Sequence, residues 1–326
     1  MPFNRMFTVA ALAAAFFPCV ANAQQDGAEA ATEIAGAARA PVVASGAPAG
    51  VYFPIANILA EAADGDVDVL ATTGSTENLV RLSLGDVDFA IARSDRVAEA
   101  MVGLPPFDDG DLSQTLRAVL GLFPEPLTIL VRADDGIVVL ADLEGRVVNL
   151  GAPGNATGQL LRLALDVSGQ VHESENFSEI PLADQVDALC AGEVDAIAFI
   201  AAHPSGTIHR AASTCDLQAV AMGQDDVEAL LTANGSLVPA AIPGGLYPGI
   251  DDAVSSVGPI AMLVTLSDVD AASVDSLLLG VLDDLEHVAG RHPVLAGLSQ
   301  AVTLAGQNGV PLHDRAASLL GDQTGQ

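Results

Sequence analysis

Three loops rich in glycine and hydroxyl side chains are the parts of this chain that best suit ligand binding. They are residues 46–54 (GAPAGVYFP), 72–79 (TTGSTENL) and 151–158 (GAPGNATG), and each follows a predicted strand and opens a predicted helix. Free main-chain N–H groups and hydroxyls in such loops bind a carboxylate without a charged side chain. Each loop alone could be an ordinary tight turn with a helix cap. Three together favour a binding site for a small anion.

Familiar catalytic signatures do not occur in the sequence. It contains no G-x-S-x-G, H-E-x-x-H, P-loop or G-x-G-x-x-G pattern, and its six histidines lack paired ligand spacing. Residues 64–68 (DGDVD) imitate a calcium loop, but Val69 and Ser75 stand where that loop needs Gly and Glu. We therefore expect no catalysis, no cofactor and no metal. An enzyme would need convergent titrating groups in the cleft.

The elements that must position the loops follow a βα rhythm, which indicates parallel sheets with helices on both faces. The predicted strands are 41–45, 66–73, 86–92, 116–122, 127–133, 146–151, 193–201, 217–222 and 258–266. The predicted helices are 51–63, 77–84, 159–168, 184–191 and 271–288, with one or two more in 293–319. The turn-rich run 238–250 is expected to lead back toward the first part of the fold. Residues 84–92 (LGDVDFAIA) and 191–199 (AGEVDAIAF) share one layout, which favours two similar α/β lobes, although such turns are common.

The N-terminus and the charge restrict compartment and partners. Arg5, the apolar run 7–17 and the small residues 21–23 form a signal-peptide pattern, so the mature chain should begin near Gln24, with a tether over 24–40. The chain has 42 acidic residues, 12 basic residues, all of them Arg, and a net charge of −30. Such a surface repels nucleic acid and anionic lipid. An anionic ligand would need local positive potential in its pocket.

Two cysteines remain after removal of the signal peptide, Cys190 and Cys215. Export to an oxidising compartment favours a disulfide between them. Two buried free thiols are the alternative. Zinc binding is the least favoured of the three options, because no nearby His or Cys completes a tetrahedral set of ligands.

Six stretches carry a family resemblance: GVYFPIANILAE, TTGSTENLVRL, GDVDFAIARSD, FPEPLTILVRADDGI, LADLEGRVVNLGAPGNATG and AHPSG. In collinear order from Val42 to Arg291 they resemble the TAXI family, the solute receptors of one class of TRAP transporters. The resemblance implies an α/β, two-lobed periplasmic-binding-protein-like fold with a hinge and ligand between the lobes. It also implies glutamate, glutamine or a related dicarboxylate as ligand, and delivery to a membrane permease.

The resemblance also implies site residues. Tyr52, Ser75 and Asn78 would line the first lobe's side of the cleft. On the second lobe's side, the residues that would hold the ligand carboxylate, with His203 nearby, are Gly154, Asn155 and Thr157.

Two departures from the family pattern concern the site. Arg93 replaces the usual Gln before Ser-Asp, and residues 154–157 read GNAT in place of Gly-Ser-Gly-Thr. Arg93 could bind a carboxylate bidentately or pair with Asp95. His203 could bind ligand or be a turn residue bonded to backbone.

The sequence therefore predicts a monomeric periplasmic receptor that closes on a small anion. The first lobe is expected at 41–125 and 240–326, and the second at 126–239. The chief rival is a sensor of the same fold that signals to a membrane kinase or chemoreceptor. No feature of the sequence separates the two.

Overall fold

The computed structural model describes residues 39–63, 67–108, 112–169, 176–304, 306 and 308–324. The predicted signal peptide, and all but the last two residues of the predicted tether, lie outside the described residues. Residues 41–326 form one compact unit. Among the described residues, every helix falls short of the length and apolar character that a membrane-spanning segment needs.

The described residues form eleven strands and eleven α-helices. The strands are β1 Val42–Ala44, β2 Asp68–Leu70, β3 Phe89–Arg93, β4 Leu116–Pro124, β5 Leu127–Arg132, β6 Val148–Asn149, β7 Phe177–Ser178, β8 Ala196–Ile200, β9 Leu217–Ala219, β10 Leu237–Ile242 and β11 Val254–Leu266. The helices are α1 Tyr52–Ala62, α2 Ser75–Ser83, α3 Ser94–Met101, α4 Ala156–Val167, α5 Gln185–Ala191, α6 Gly206–Thr214, α7 Gln224–Ala233, α8 Ala271–Asp283, α9 Leu285–Gly290, α10 Leu298–Leu304 and α11 Asp314–Thr324. Short 3-10 helices occur at Leu140–Leu143 and Pro293–Leu295. Each predicted strand and helix overlaps an observed one.

The strands form two mixed sheets. The first has the order β10-β11-β3-β1-β2, with β4 also paired to β11, and the second has the order β7-β6-β8-β5-β9. Two pairs of strands that a helix connects are parallel neighbours, β1 with β2 and β6 with β7. The expectation of parallel sheets was wrong for β5 and β11, which run against their neighbours. Each is entered through a connection that contains no helix to return the chain to its starting edge.

Each sheet is covered on both faces, as the near-continuous apolar runs predict. Phe89 and Ile91 of β3 pack into the cluster that contains α1 and α8. Ala90 and Ala92 point to the opposite face and pack with residues of α2 and α3. The second sheet has its own two clusters. The molecule therefore has the expected two-lobed α/β fold, and we call each sheet with its helices the first or the second lobe.

The chain crosses between the lobes at two points. The first crossing is the segment 124–127, which joins β4 to β5. The second lies within β11, where Val257 packs in the core of the second lobe and Leu263 in that of the first. The long strand β11 therefore belongs to both lobes.

The two crossings touch. The main-chain N–H of Glu125 donates to the carbonyl oxygen of Pro259 at 2.8 Å. A Cβ atom on Gly258 would lie only 2.0 Å from the carbonyl oxygen of Glu125. This close approach of two backbones requires glycine at position 258.

The two cysteines form the expected disulfide. Cys190 lies in the last turn of α5, and Cys215 follows the end of α6. Their Cα atoms are 5.9 Å apart. The bond ties together the ends of two helices that cover one face of the second sheet.

Candidate functional site

A cleft of about 980 Å³ lies between the two lobes, at the ends of strands that open into glycine-rich loops. Two of the three loops predicted from the sequence line it extensively, and the third contributes one residue. The lining residues are 46–52, 54, 73–76, 93, 96 and 125 from the first lobe, 156, 200–202 and 204–206 from the second, and His292. The loops therefore meet in one crevice, as expected from strands that end at one edge of a sheet.

A hydrogen-bonded chain of side chains forms the floor of the cleft on the first lobe's side. The main-chain N–H of Arg93 donates to Oγ of Ser75 at 3.1 Å. The Ser75 side chain also lies close to the hydroxyl of Tyr52, and that hydroxyl donates to Oε1 of Glu125 at 2.8 Å. The structure thus brings three predicted site residues together and adds an acid that sequence reasoning did not identify.

Glu125 is buried at the first crossing. Burial raises the pKa of its carboxyl group, whereas the Arg93 guanidinium and the Tyr52 hydroxyl lower it. Its Oε2 atom lies 4.0 Å from Nη1 of Arg93, a distance too long for a hydrogen bond. The sequence signal was one acid between two prolines, at the junction of two apolar strands.

Arg93 lines the cleft and also forms the ion pair with Asp95 that the sequence left open. Its Nε atom lies 3.0 Å from Oδ1 of Asp95, and its Nη2 atom lies 2.5 Å from Oδ2. Asp95 thus engages two of its three nitrogens, and only Nη1 is directed toward Glu125. Much of the Arg93 charge is therefore offset within the protein.

Arg96 is a second cation in the cleft, and sequence reasoning missed it. Its Nη2 atom lies 2.6 Å from Oε1 of Glu99, and its Nε atom lies 3.5 Å from Oδ2 of Asp95. Among the described residues, none accepts a hydrogen bond from this buried Nε. Arg96 thus adds a second guanidinium to the cleft lining, although its unpaired Nε atom is itself buried.

The N-termini of two helices open into the cleft without a capping side chain. Val51 precedes α1 and Gly74 precedes α2, and in the part of the chain that the structure describes neither helix has a side-chain cap at its N-terminus. Both residues line the cleft. Uncapped N–H groups carry partial positive charge and bind anions. The two N-termini therefore contribute partial positive charge to the wall of the cleft, although Glu77 lies in the first turn of α2.

Asn78 lies behind the cleft wall and not in it. Its Nδ2 atom donates to the carbonyl oxygens of Ser45 and Ile91, and its Oδ1 atom accepts from the Thr72 hydroxyl. It is fully buried. Asn78 thus joins the ends of β1, β2 and β3 and fixes two cleft loops.

Of the third loop, only Ala156 lines the cleft, whereas Gly154, Asn155 and Thr157 do not. The Asn155 side chain accepts from the N–H of Gly158 and caps α4. It also donates to the carbonyl oxygen of Leu150 at 2.7 Å. In this conformation the Asn155 side chain is engaged within its own loop.

His203 is buried beneath the cleft between two residues that line it. Its Nδ1 atom lies 2.7 Å from the Tyr247 hydroxyl, and its Nε2 atom lies 3.1 Å from Oγ1 of Thr128. The Tyr247 oxygen accepts from the N–H of Ser205 at 2.7 Å. We therefore assign the ring proton to Nε2, with the Tyr247 hydroxyl donating to Nδ1. Burial lowers the pKa of His203 to about 4, so the ring is neutral at pH 7.

Residues 43–320 match the profile of the NMT1-like family. Similar solved structures include a TctC solute binding protein from Polaromonas, with 16% identity, a TM-score of 0.48, and 87% of this chain and 94% of that chain covered. The periplasmic aliphatic sulphonate binding protein of Escherichia coli is 17% identical, with a TM-score of 0.44 and coverages of 89% and 80%. A histidine kinase sensor domain with similarity to periplasmic binding proteins is 15% identical, with a TM-score of 0.45 and coverages of 80% and 96%.

Proposed function

This chain belongs to the NMT1-like family, and on that premise we propose that it is an extracytoplasmic receptor that captures a small anionic solute for a TRAP-type transporter. The resemblance to TAXI receptors suggests glutamate, glutamine or a related dicarboxylate. In this proposal the protein acts as a monomer in the periplasm after removal of its signal peptide, and it needs neither catalysis nor a cofactor. Its partner in the membrane is a permease.

One observation carries the proposal: two uncapped helix N-termini and two arginines converge on a single cleft between the lobes. The chain as a whole has a net charge of −30, so its exterior repels anions at long range. A cleft that concentrates N–H donors and guanidinium groups is the region where an anion can bind.

We propose that the ligand bridges the lobes and shifts the population toward a closed state. Tyr52, Ser75 and Arg93 are the proposed contacts from the first lobe. The loop with Gly154, Asn155 and Thr157 approaches from the second lobe on closure. The proposed first lobe comprises residues 41–125 and 240–326, and the proposed second lobe comprises residues 126–239.

A thermal-shift screen of the processed, exported chain tests the proposal. The ligands are L-glutamate, L-glutamine, L-aspartate, glutarate and succinate. A ligand at 100 times its Kd adds about 2.7 kcal/mol to the free energy of unfolding, which raises the Tm measurably. A panel that leaves Tm unchanged at millimolar concentration contradicts the proposal. Loss of solute uptake on gene deletion distinguishes transport from sensing.

Arg93→Gln tests the cation in the cleft. We expect at least about tenfold weaker binding of the solute, since a charge-assisted hydrogen bond contributes about 1.5–3 kcal/mol. Arg162→Gln is the matched control, because it removes one positive charge from an exposed position on α4 outside the cleft. Equal affinities of the two variants by titration calorimetry would place Arg93 outside the site.

A further inference from the structure

Glu125 is the sole acid among the described residues that line the cleft. It is only 6% exposed, and it lies where the chain passes from the first lobe to the second. A buried carboxylate is energetically unfavourable unless it is paired and hydrogen-bonded. Its presence in a cleft built for an anion therefore needs a reason.

The two oxygens of Glu125 have different surroundings. Oε1 accepts from the Tyr52 hydroxyl at 2.8 Å. Oε2 lies 4.0 Å from Nη1 of Arg93, and Asp95 engages the other two nitrogens of that guanidinium. Oε2 thus has a cation nearby but not within hydrogen-bond distance. An N–H group of a small ligand in the cleft would supply the hydrogen bond that Oε2 lacks.

The charges also separate two classes of solute. A second carboxylate placed next to Glu125 would meet a like charge, which disfavours it, because the charge of the nearby Arg93 is already offset by Asp95. An ammonium group there would gain a charge-assisted hydrogen bond. The helix N-termini at Val51 and Gly74 remain for the carboxylate of the same molecule. The cleft therefore matches a ligand that carries both signs of charge.

We propose that Glu125 binds the ammonium group of an α-amino acid, so that the captured solute is an amino acid such as glutamate and not an amine-free dicarboxylate. The assignment rests on the proposed function and narrows its substrate class. Tyr52 is the positioning residue, because its hydroxyl fixes Oε1 and leaves Oε2 toward the cleft.

Matched ligand pairs test the assignment on the unmodified protein. L-glutamate and glutarate differ only in the amino group, as do L-aspartate and succinate. By titration calorimetry we expect the amino acid of at least one pair to bind at least about tenfold more tightly than its amine-free analogue. Equal or tighter binding of the analogues in both pairs overturns the assignment and leaves the receptor function intact. No binding of any of the four, or of L-glutamine, overturns the receptor function and this assignment together.

Glu125→Gln isolates the carboxylate. The amide keeps an oxygen for the Tyr52 hydroxyl but loses the charge. We expect the affinity for L-glutamate to fall at least about tenfold, while the affinity for glutarate is unchanged or higher. Glu61→Gln, at an exposed position near the end of α1, is the control and should bind both ligands as the wild type does. An equal loss of affinity for L-glutamate and glutarate would show that Glu125 stabilises the crossing between the lobes and does not contact the ammonium group. That result would overturn the proposal.

Discussion

Lowering the pH from 7 to 4 should destabilise the protein through the buried imidazole of His203. The pKa of this ring is lowered from 6.5 to about 4 by burial. As the pH falls below 6.5, the His203 ring binds a proton in the unfolded chain but not yet in the folded protein. The stability contributed by the neutral ring is therefore complete above pH 6.5, declines between 6.5 and 4, and falls no further below 4.

The difference between the pKa values of His203 in the unfolded and the folded protein sets the size of the loss in stability. Between 6.5 and about 4, at about 1.36 kcal/mol per pH unit, the loss is roughly 3 kcal/mol. This is a large fraction of the 5–15 kcal/mol that is typical of folded domains. Protonation would also place a second donor on Nδ1 against the Tyr247 hydroxyl, which now donates to it.

His203→Gln provides the comparison. At pH 7 the variant should be less stable by about 1–3 kcal/mol, because Thr128 and Tyr247 lose hydrogen-bond partners. Toward pH 4 this deficit should disappear, since the variant lacks the group that titrates. Urea unfolding followed by circular dichroism at half-unit pH steps measures both curves.

His287→Gln is the control, because His287 is exposed on α9. Its stability should follow the wild-type curve at every pH. If the curves of wild type and His203→Gln stay parallel from pH 7 to 4, the buried, neutral ring is the wrong description of His203.

Three further changes have defined outcomes. Gly258→Ala should lower the free energy of unfolding by about 1–3 kcal/mol, because its Cβ would lie 2.0 Å from a carbonyl oxygen of the other crossing. The control Gly290→Ala should be near neutral, since no atom lies within 4 Å of its added Cβ. Replacing both Cys190 and Cys215 by Ser should remove about 3.5 kcal/mol, as a closed loop with a sequence separation of 25 residues predicts. Asn78→Leu should destabilise the protein by about 2–4 kcal/mol, because it leaves buried carbonyl oxygens without donors.

Chemical denaturation measures all three. Equal midpoints for the two glycine variants would contradict the close contact of the crossings. Wild-type protein with and without reductant should reproduce the difference seen on replacing the cysteines. An Asn78→Leu variant that binds solute weakly but unfolds as the wild type does would place Asn78 in the site instead of behind it.

The sequence predicted the elements of the fold better than their directions. Alternation of apolar strands and helices located β1, α1 and β3 within a few residues. The strand β10 was missed because Pro239 and the following glycines indicate turns. It pairs only with β11 and so tolerates proline at an edge. The helix α3 was missed because it begins at Ser94, directly after β3, and no turn residue separates the strand from the helix.

The loops that line the candidate site were predictable from local sequence, whereas its individual residues were inferred from the family resemblance. Tyr52, Ser75 and Arg93 come from segments that open helices at strand ends, and they meet in the cleft. Glu125 and Arg96 were not identified, because their positions depend on how the lobes connect and on the unpredicted helix α3. Contacts between residues that are far apart along the chain are difficult to predict from a single sequence.

The paired crossings at 124–127 and within β11 also restrict the direction in which the proposed closure can occur. The proposed closure should turn about an axis through both crossings, because any other rotation would stretch one crossing relative to the other. Spin labels on opposite rims of the cleft should therefore change their separation on addition of solute. Labels placed along that axis should keep theirs.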